Sequence, residues 1–256
     1  MSFMEHLEEL RTRMVHAAIA VGVCFLVTYF FKEELYHYLA LPLKAAMPPD
    51  AKLIYTAPAE AFFTYIKIAF LAAILAASPY IFYQVWRFVA PGLYSRERKA
   101  VLPFVIFSSL LFMGGAAFCY TTVFPYSFQF FMSFASDEIT PMLSLKSYLS
   151  FSTMLLFAFG MVFEMPLILV FLGRLGVIGS AMLRRQRKYA ILIMFVMGAI
   201  FTPPDWVTQC MLAVPMCLLY EVSIWLVRAT EKKKALARAA AEAEFETPSD
   251  PPPAAE

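Results

Sequence analysis

The sequence predicts an all-α polytopic membrane protein, and three observations lead to that expectation. Of 256 residues, 61% are hydrophobic and only 16% charged, far more apolar than an ordinary soluble domain. The apolar residues gather into six blocks, four of them near the length a helix needs to cross about 30 Å of hydrocarbon at about 1.5 Å per residue. The basic residues concentrate in alternate connections between the blocks.

The first element opens with "SFMEHLEELRTR". Ser2 and Glu5 fit an S-x-x-E capping box, and Phe3, Leu7, Leu10 and Met14 recur at helical spacing. An amphipathic helix over about 2–13 therefore leads into a first span at 14–31. The three glutamates ahead of that span are unlike the basic start of a secretory signal, so the segment reads as uncleaved. Periodicity alone turns Glu8, Glu9 and Arg11 toward solvent.

The next spans lie at about 62–86, 101–124 and 148–172, separated by segments rich in proline or charge. Between the second and third, "RFVAPGLYSRERKA" sets Phe88, Leu93 and Tyr94 beside Glu97, which stands among Arg96, Arg98 and Lys99. Such an acid either pairs with its neighbours or, lying beside an aromatic ring, receives an arginine from elsewhere. The residues leave both open.

Within the fourth span, "AFGMVFEMPLILVF" buries one acid, Glu164, two residues before Pro166. A carboxylate at that depth costs roughly 2.5–3.5 kcal/mol if ionised, so it should face a protein interior, a watery hollow or a partner. The structural alternative is a protonated acid bonded to a carbonyl that Pro166 frees by lacking an N–H.

The last two blocks, 189–201 and 206–227, are short or interrupted, the second by Gln209 and Glu221. The "TPPD" at 202–205 turns the chain between them, because Pro203 and Pro204 cannot continue a helix and Asp205 can cap the next one. Six spans, with helices five and six short, place both termini on one side. Sixteen Lys and Arg residues fall on that side and four on the other, Lys67 lying within the second span, so N-terminus and C-terminus are expected to be cytoplasmic. Residues 1–230 form a single six-helix domain. Residues 231–256 form a cytoplasmic tail, which extends the last helix a little and is disordered beyond about Thr247.

Cys24, Cys119, Cys210 and Cys217 lie in apolar stretches without metal-ligand spacing, and His6, His16 and His37 are scattered. No phosphate-binding loop is present, and no basic run is interleaved with stacking aromatics. Neither an enzyme, a metal or cofactor site, nor a nucleic-acid partner is indicated.

Four motifs together resemble the TatC family, the multi-spanning receptor subunit of the twin-arginine protein translocase: "HLEELRTR" at 6–13, "YQVWRFVAPGLYSRERK" at 83–99, "FGMVFEMP" at 159–166 and "FTPPDWVTQ" at 201–209. The likeness runs from about residue 6 to 228. It implies a multi-pass protein of the bacterial cytoplasmic (inner) membrane that binds Arg-Arg signal peptides of folded precursors. It also implies single-span Tat partners of the TatA/TatB type, a homo-oligomer within the complex, and export driven by the proton motive force. By the same likeness, Glu9 and Glu97 bind the two signal arginines with Arg11 and Phe88 nearby, while Pro91, Leu93 and Tyr94 shape the loop. Glu164 and Gln209 form an intramembrane polar site. Thr202, Pro203, Asp205 and Gln209 lie where a partner helix docks. Two other functions compete from the residues alone: a proton-coupled small-molecule transporter built on Glu164, and a membrane anchor with no traffic of its own.

Overall fold

The computed structural model describes residues 3–48, 53–55, 57–89, 101–136, 142–202 and 205–246. Every regular element among them is helical, apart from one parallel bridge between Ile54 and Ser144. Five helical paths are long and apolar enough to cross a membrane: Met4–Phe30, Glu60–Val89, Val101–Met132, Leu145–Leu175 and Trp206–Ala237.

The first helix, α1 (Phe3–Phe30), is continuous. The sequence reading divides it near residue 13, but no proline or glycine stands there to break it, so amphipathic start and apolar span merge. The face that packs is also different. Leu7 and Met14 of the apolar stripe are exposed, while His6, Glu9 and Arg13 turn toward α3, so Glu9 is half-buried rather than on the solvent face that periodicity gives it. No described residue of α1 is fully buried, and α1 rests chiefly on α3 (Glu60–Val89). At its far end the Thr28 hydroxyl donates to the Ala69 carbonyl at 2.8 Å.

Helix α2 (Lys32–Ala46) and the segments around it close the opposite end of the molecule. Ile54 N–H donates to Leu143 O at 3.0 Å and Leu145 N–H to Ile54 O at 2.8 Å. Glu60 Oε1 accepts from the Lys146 N–H at 2.7 Å and the Ser144 hydroxyl at 3.1 Å. The Tyr120 hydroxyl donates to the Tyr38 carbonyl at 2.6 Å.

The third path comprises α4 (Val101–Phe118), a π-helical turn at Cys119–Val123 and α5 (Phe124–Met132). The span expected at 101–124 is therefore longer than its apolar length predicts, and it runs through Pro125. The wider π turn absorbs the N–H that Pro125 lacks, and the helix continues. The fourth path bends between α6 (Leu145–Phe163) and α7 (Met165–Leu175), and Glu164 is the residue at the break.

Helices α8 (Ser180–Arg185) and α9 (Arg187–Phe201) precede α10 (Trp206–Glu246). The sequence reading makes helices five and six short. Helix α9, with 15 residues, is short; α10 has 41 residues, corresponding to about 60 Å, and corrects that expectation. Its Ala-, Glu- and Lys-rich continuation consists of strong helix formers. Glu231 also anchors it, accepting from the Ser180 N–H at 2.9 Å and the Ser180 hydroxyl at 2.6 Å.

Two glycines allow α4 and α6 to pack at close range. A Cβ on Gly115 would lie 2.5 Å from the Phe159 carbonyl oxygen, and one on Gly160 would lie 2.6 Å from the Phe112 ring. Gly115→Ala is expected to lower the thermal unfolding midpoint in detergent more than Gly160→Ala, because a ring can tilt while a helix backbone must shift. The first change should cost about 1–3 kcal/mol, as overpacking of a tight core does. Equal midpoints for the two variants would contradict this.

Candidate functional site

At the end where α1 begins and α3 finishes, side chains from the two helices interlock. His6, Glu9 and Arg13 lie on one face of α1 at spacings of three and four, and Gln84 and Phe88 lie four apart on α3. The His6 and Phe88 rings stack with centroids 4.4 Å apart and planes at 16°. Arg13 Nη1 donates to Gln84 Oε1 at 3.4 Å, and Arg13 Nη2 donates to Glu9 Oε1 at 3.0 Å. Glu9 thus bonds the Arg13 guanidinium and lies about one helical turn from His6, which stacks on Phe88.

This arrangement is only half satisfied. Glu9 Oε2 and Arg13 Nε are both buried without a hydrogen-bond partner. A buried acceptor left unpaired costs about 1–3 kcal/mol, more when charged, so Glu9 favours any donor that can reach its second oxygen. Arg11 lies on the exposed face of α1 and Phe88 is half-buried. Pro91, Leu93, Tyr94 and Glu97 lie outside the described residues. Nothing in the sequence reading singled out His6, Arg13 or Gln84. The i, i+4 spacing of Glu9 and Arg13 was visible, but their common partner on α3 was not.

Deeper along the same helices, α1, α3, α4, α6 and α7 enclose an apolar cavity of about 880 Å³. Its polar side is short. Trp86 Nε1–H donates to the Ser108 hydroxyl at 2.8 Å, and the Glu164 carboxyl lies beside Ser108 and the Phe112 backbone. Glu164 is 4% exposed, and its Oε1 has no hydrogen-bond partner. Pro166 is what opens the helix at this point: it has no N–H to donate, and α7 restarts from the Glu164 carbonyl, which accepts from Leu167 and Ile168. The Glu164 side chain is among those that line the cavity. Ser108 and Trp86 are the residues here that sequence inspection missed.

A third group lies at the turn between α9 and α10. Asp205 caps α10 as its position predicts, accepting from the Thr208 N–H at 2.7 Å and from the Thr208 hydroxyl. The Thr202 hydroxyl bonds back to the Gly198 carbonyl at 2.9 Å. Gln209 Nε2 donates to the Phe195 carbonyl at 3.0 Å, which joins the two helices of the hairpin. Gln209 is not among the residues that line the cavity beside Glu164. Pro203 lies outside the described residues. No three His, Cys, Asp or Glu side chains among the described residues converge as metal ligands would.

Known proteins are similar to this chain in sequence and fold. A family model described as Sec-independent protein translocase protein (TatC) matches residues 5–215. The chain is 51% identical over 232 residues to the TatC protein of Desulforapulum autotrophicum, covering 91% of this chain and 86% of that protein. It is 41% identical over 223 residues to TatC of Escherichia coli K12, covering 87% and 86%. A crystal structure of the twin-arginine translocase receptor TatC superposes with a TM-score of 0.78 at 42% identity, covering 88% of this chain and 98% of that one.

Proposed function

The chain belongs to the TatC family of Sec-independent protein translocase proteins, and from that premise we propose that it is the receptor subunit of a twin-arginine translocase. It captures the Arg-Arg signal peptides of folded precursors and nucleates an export complex driven by the proton motive force. The observation that carries this reading is Glu9, a carboxylate with one oxygen buried and unpaired, three residues along α1 from the His6 that stacks on Phe88. A guanidinium suits such a place better than an ammonium, since it offers a planar fork to a carboxylate and a flat face to a ring, whereas lysine remains a point charge. Glu9 takes one signal arginine and Glu97 the other. Arg11 and Phe88 flank them, and Pro91, Leu93 and Tyr94 shape the connecting loop.

The cavity receives an apolar helix that carries one polar group, offered to Glu164. The occupant is the membrane-embedded part of a signal peptide or of a single-span Tat partner of the TatA/TatB type. Thr202, Pro203, Asp205 and Gln209 form the region against which a partner helix docks. In this reading the short α9 supplies the crossing that brings the five to six, through a locally thinned bilayer, and the basic residues hold both termini in the cytoplasm of a bacterial inner membrane. The receptor works as a homo-oligomer, uses no cofactor and forms no covalent intermediate. Family membership sets aside the small-molecule transporter and the inert anchor.

In-cell photocrosslinking tests the assignment. A crosslinker at Phe88 or Glu97 should capture an Arg-Arg precursor and lose it when the precursor carries Lys-Lys. A crosslinker at Glu164 should capture a membrane-embedded helix. Equal capture of both precursors at the first two positions would overturn the receptor site.

A further inference from the structure

Arg13 and Glu9 leave one acceptor and one donor idle side by side. A guanidinium that approaches a carboxylate side-on can use Nε and one Nη together and satisfy both oxygens. Here Arg13 makes only one of those bonds, through Nη2 to Glu9 Oε1, although Nε and Glu9 Oε2 are both buried and unpaired. Something holds the guanidinium short of closing. The other end of its fork is engaged: Nη1 reaches across to Gln84 Oε1 on α3 at 3.4 Å. Gln84 is itself 4% exposed, so its amide is fixed by packing. An Arg13 swung fully onto Glu9 would occupy the carboxylate as an arriving arginine would.

We propose that Gln84 is a positioning residue that restrains Arg13, keeps Glu9 Oε2 available, and so prevents the receptor's own arginine from blocking the place where a signal arginine binds. This rests on the reading of Glu9 as an arginine acceptor. Arg13 is then a latent competitor in the same chain. Without its tether it would close into a bidentate pair that also satisfies its own idle Nε. The incoming peptide would have to break that pair before it could bind.

The restraint makes a prediction that a merely structural glutamine does not. Binding of a fluorescent synthetic Arg-Arg signal peptide to the full chain in nanodiscs should weaken about tenfold in Gln84→Met, which keeps the length and bulk of the side chain but offers Arg13 only a weak thioether acceptor in place of the amide oxygen. In the double variant Gln84→Met/Arg13→Gln, affinity should return to within about threefold of the unaltered chain, because the competitor is gone. That recovery would also show that losing the amide leaves the chain folded. Thermal unfolding midpoints of both variants give an independent check of folding. If Gln84→Met binds normally, or if the double variant is folded yet no better than Gln84→Met, the restraint is overturned. Glu9→Gln distinguishes the restraint from the acceptor it protects: normal binding would mean that Glu9 accepts no signal arginine, whereas loss of binding in this variant alone would mean that Glu9 does accept one and Gln84 restrains nothing.

Discussion

Glu9→Lys is expected to abolish capture of an Arg-Arg precursor while leaving the chain folded and inserted. The charge reversal removes the acceptor and places an ammonium where a guanidinium should arrive. A hydrogen bond to a charged group contributes about 1.5–3 kcal/mol, so neutral Glu9→Gln should already weaken binding by roughly ten- to a hundredfold. Lysine adds repulsion to that loss. Stability should respond little to the neutral change, because a helical pair spaced i, i+4 contributes only about 0.3–0.5 kcal/mol. Capture should also weaken as ionic strength rises, since part of the attraction acts through solvent. Unchanged capture by Glu9→Lys, measured by crosslinking to a precursor, would sink the assignment.

At Glu164, stability and function are expected to move in opposite directions. Glu164→Leu should raise the unfolding midpoint in detergent, because it removes a buried carboxyl oxygen that lacks a partner, a cost of about 1–3 kcal/mol. The same change should reduce export, since the apolar wall would have nothing polar to offer an arriving helix. Glu164→Gln should retain much of the export activity and Glu164→Ala less, because an amide still bonds and a methyl does not. Equal loss in Gln and Ala would mean that the group must titrate. A lower midpoint for Glu164→Leu would mean that the carboxyl is part of the fold's own bonding.

The hydrophobic blocks made the helical path legible, since lengths and apolar character survive without tertiary knowledge. Prolines were less informative. Pro166 does mark a break, whereas Pro125 is absorbed by a π turn whose signal is tertiary packing around Cys119 and Val123. The reach of α10 was hidden because its anchor, Ser180, lies 51 residues away. Periodicity finds the apolar stripe of α1 but turns Glu9 toward solvent, whereas Glu9 is half-buried and bonded to Arg13. An apolar stripe on a membrane helix need not face the protein, and here Leu7 and Met14 are exposed while polar residues make the contact. Glu9 and Glu164 stood out as acids. Their surroundings, Gln84 and His6 for one and Ser108 and Trp86 for the other, come from helices that only the fold brings together.

Helix α1 rests on α3 and little else, whereas α4 and α6 are locked through Gly115 and Gly160. The cavity therefore has one wall locked by close backbone packing and one that leans on a single neighbour. Ala18, Val21, Gly22 and Phe25 of α1 line the hollow, and Glu9 is on the same unbroken helix about 13–24 Å further along at 1.5 Å per residue. One rod with one principal neighbour thus carries both the proposed arginine acceptor and a side of the hollow.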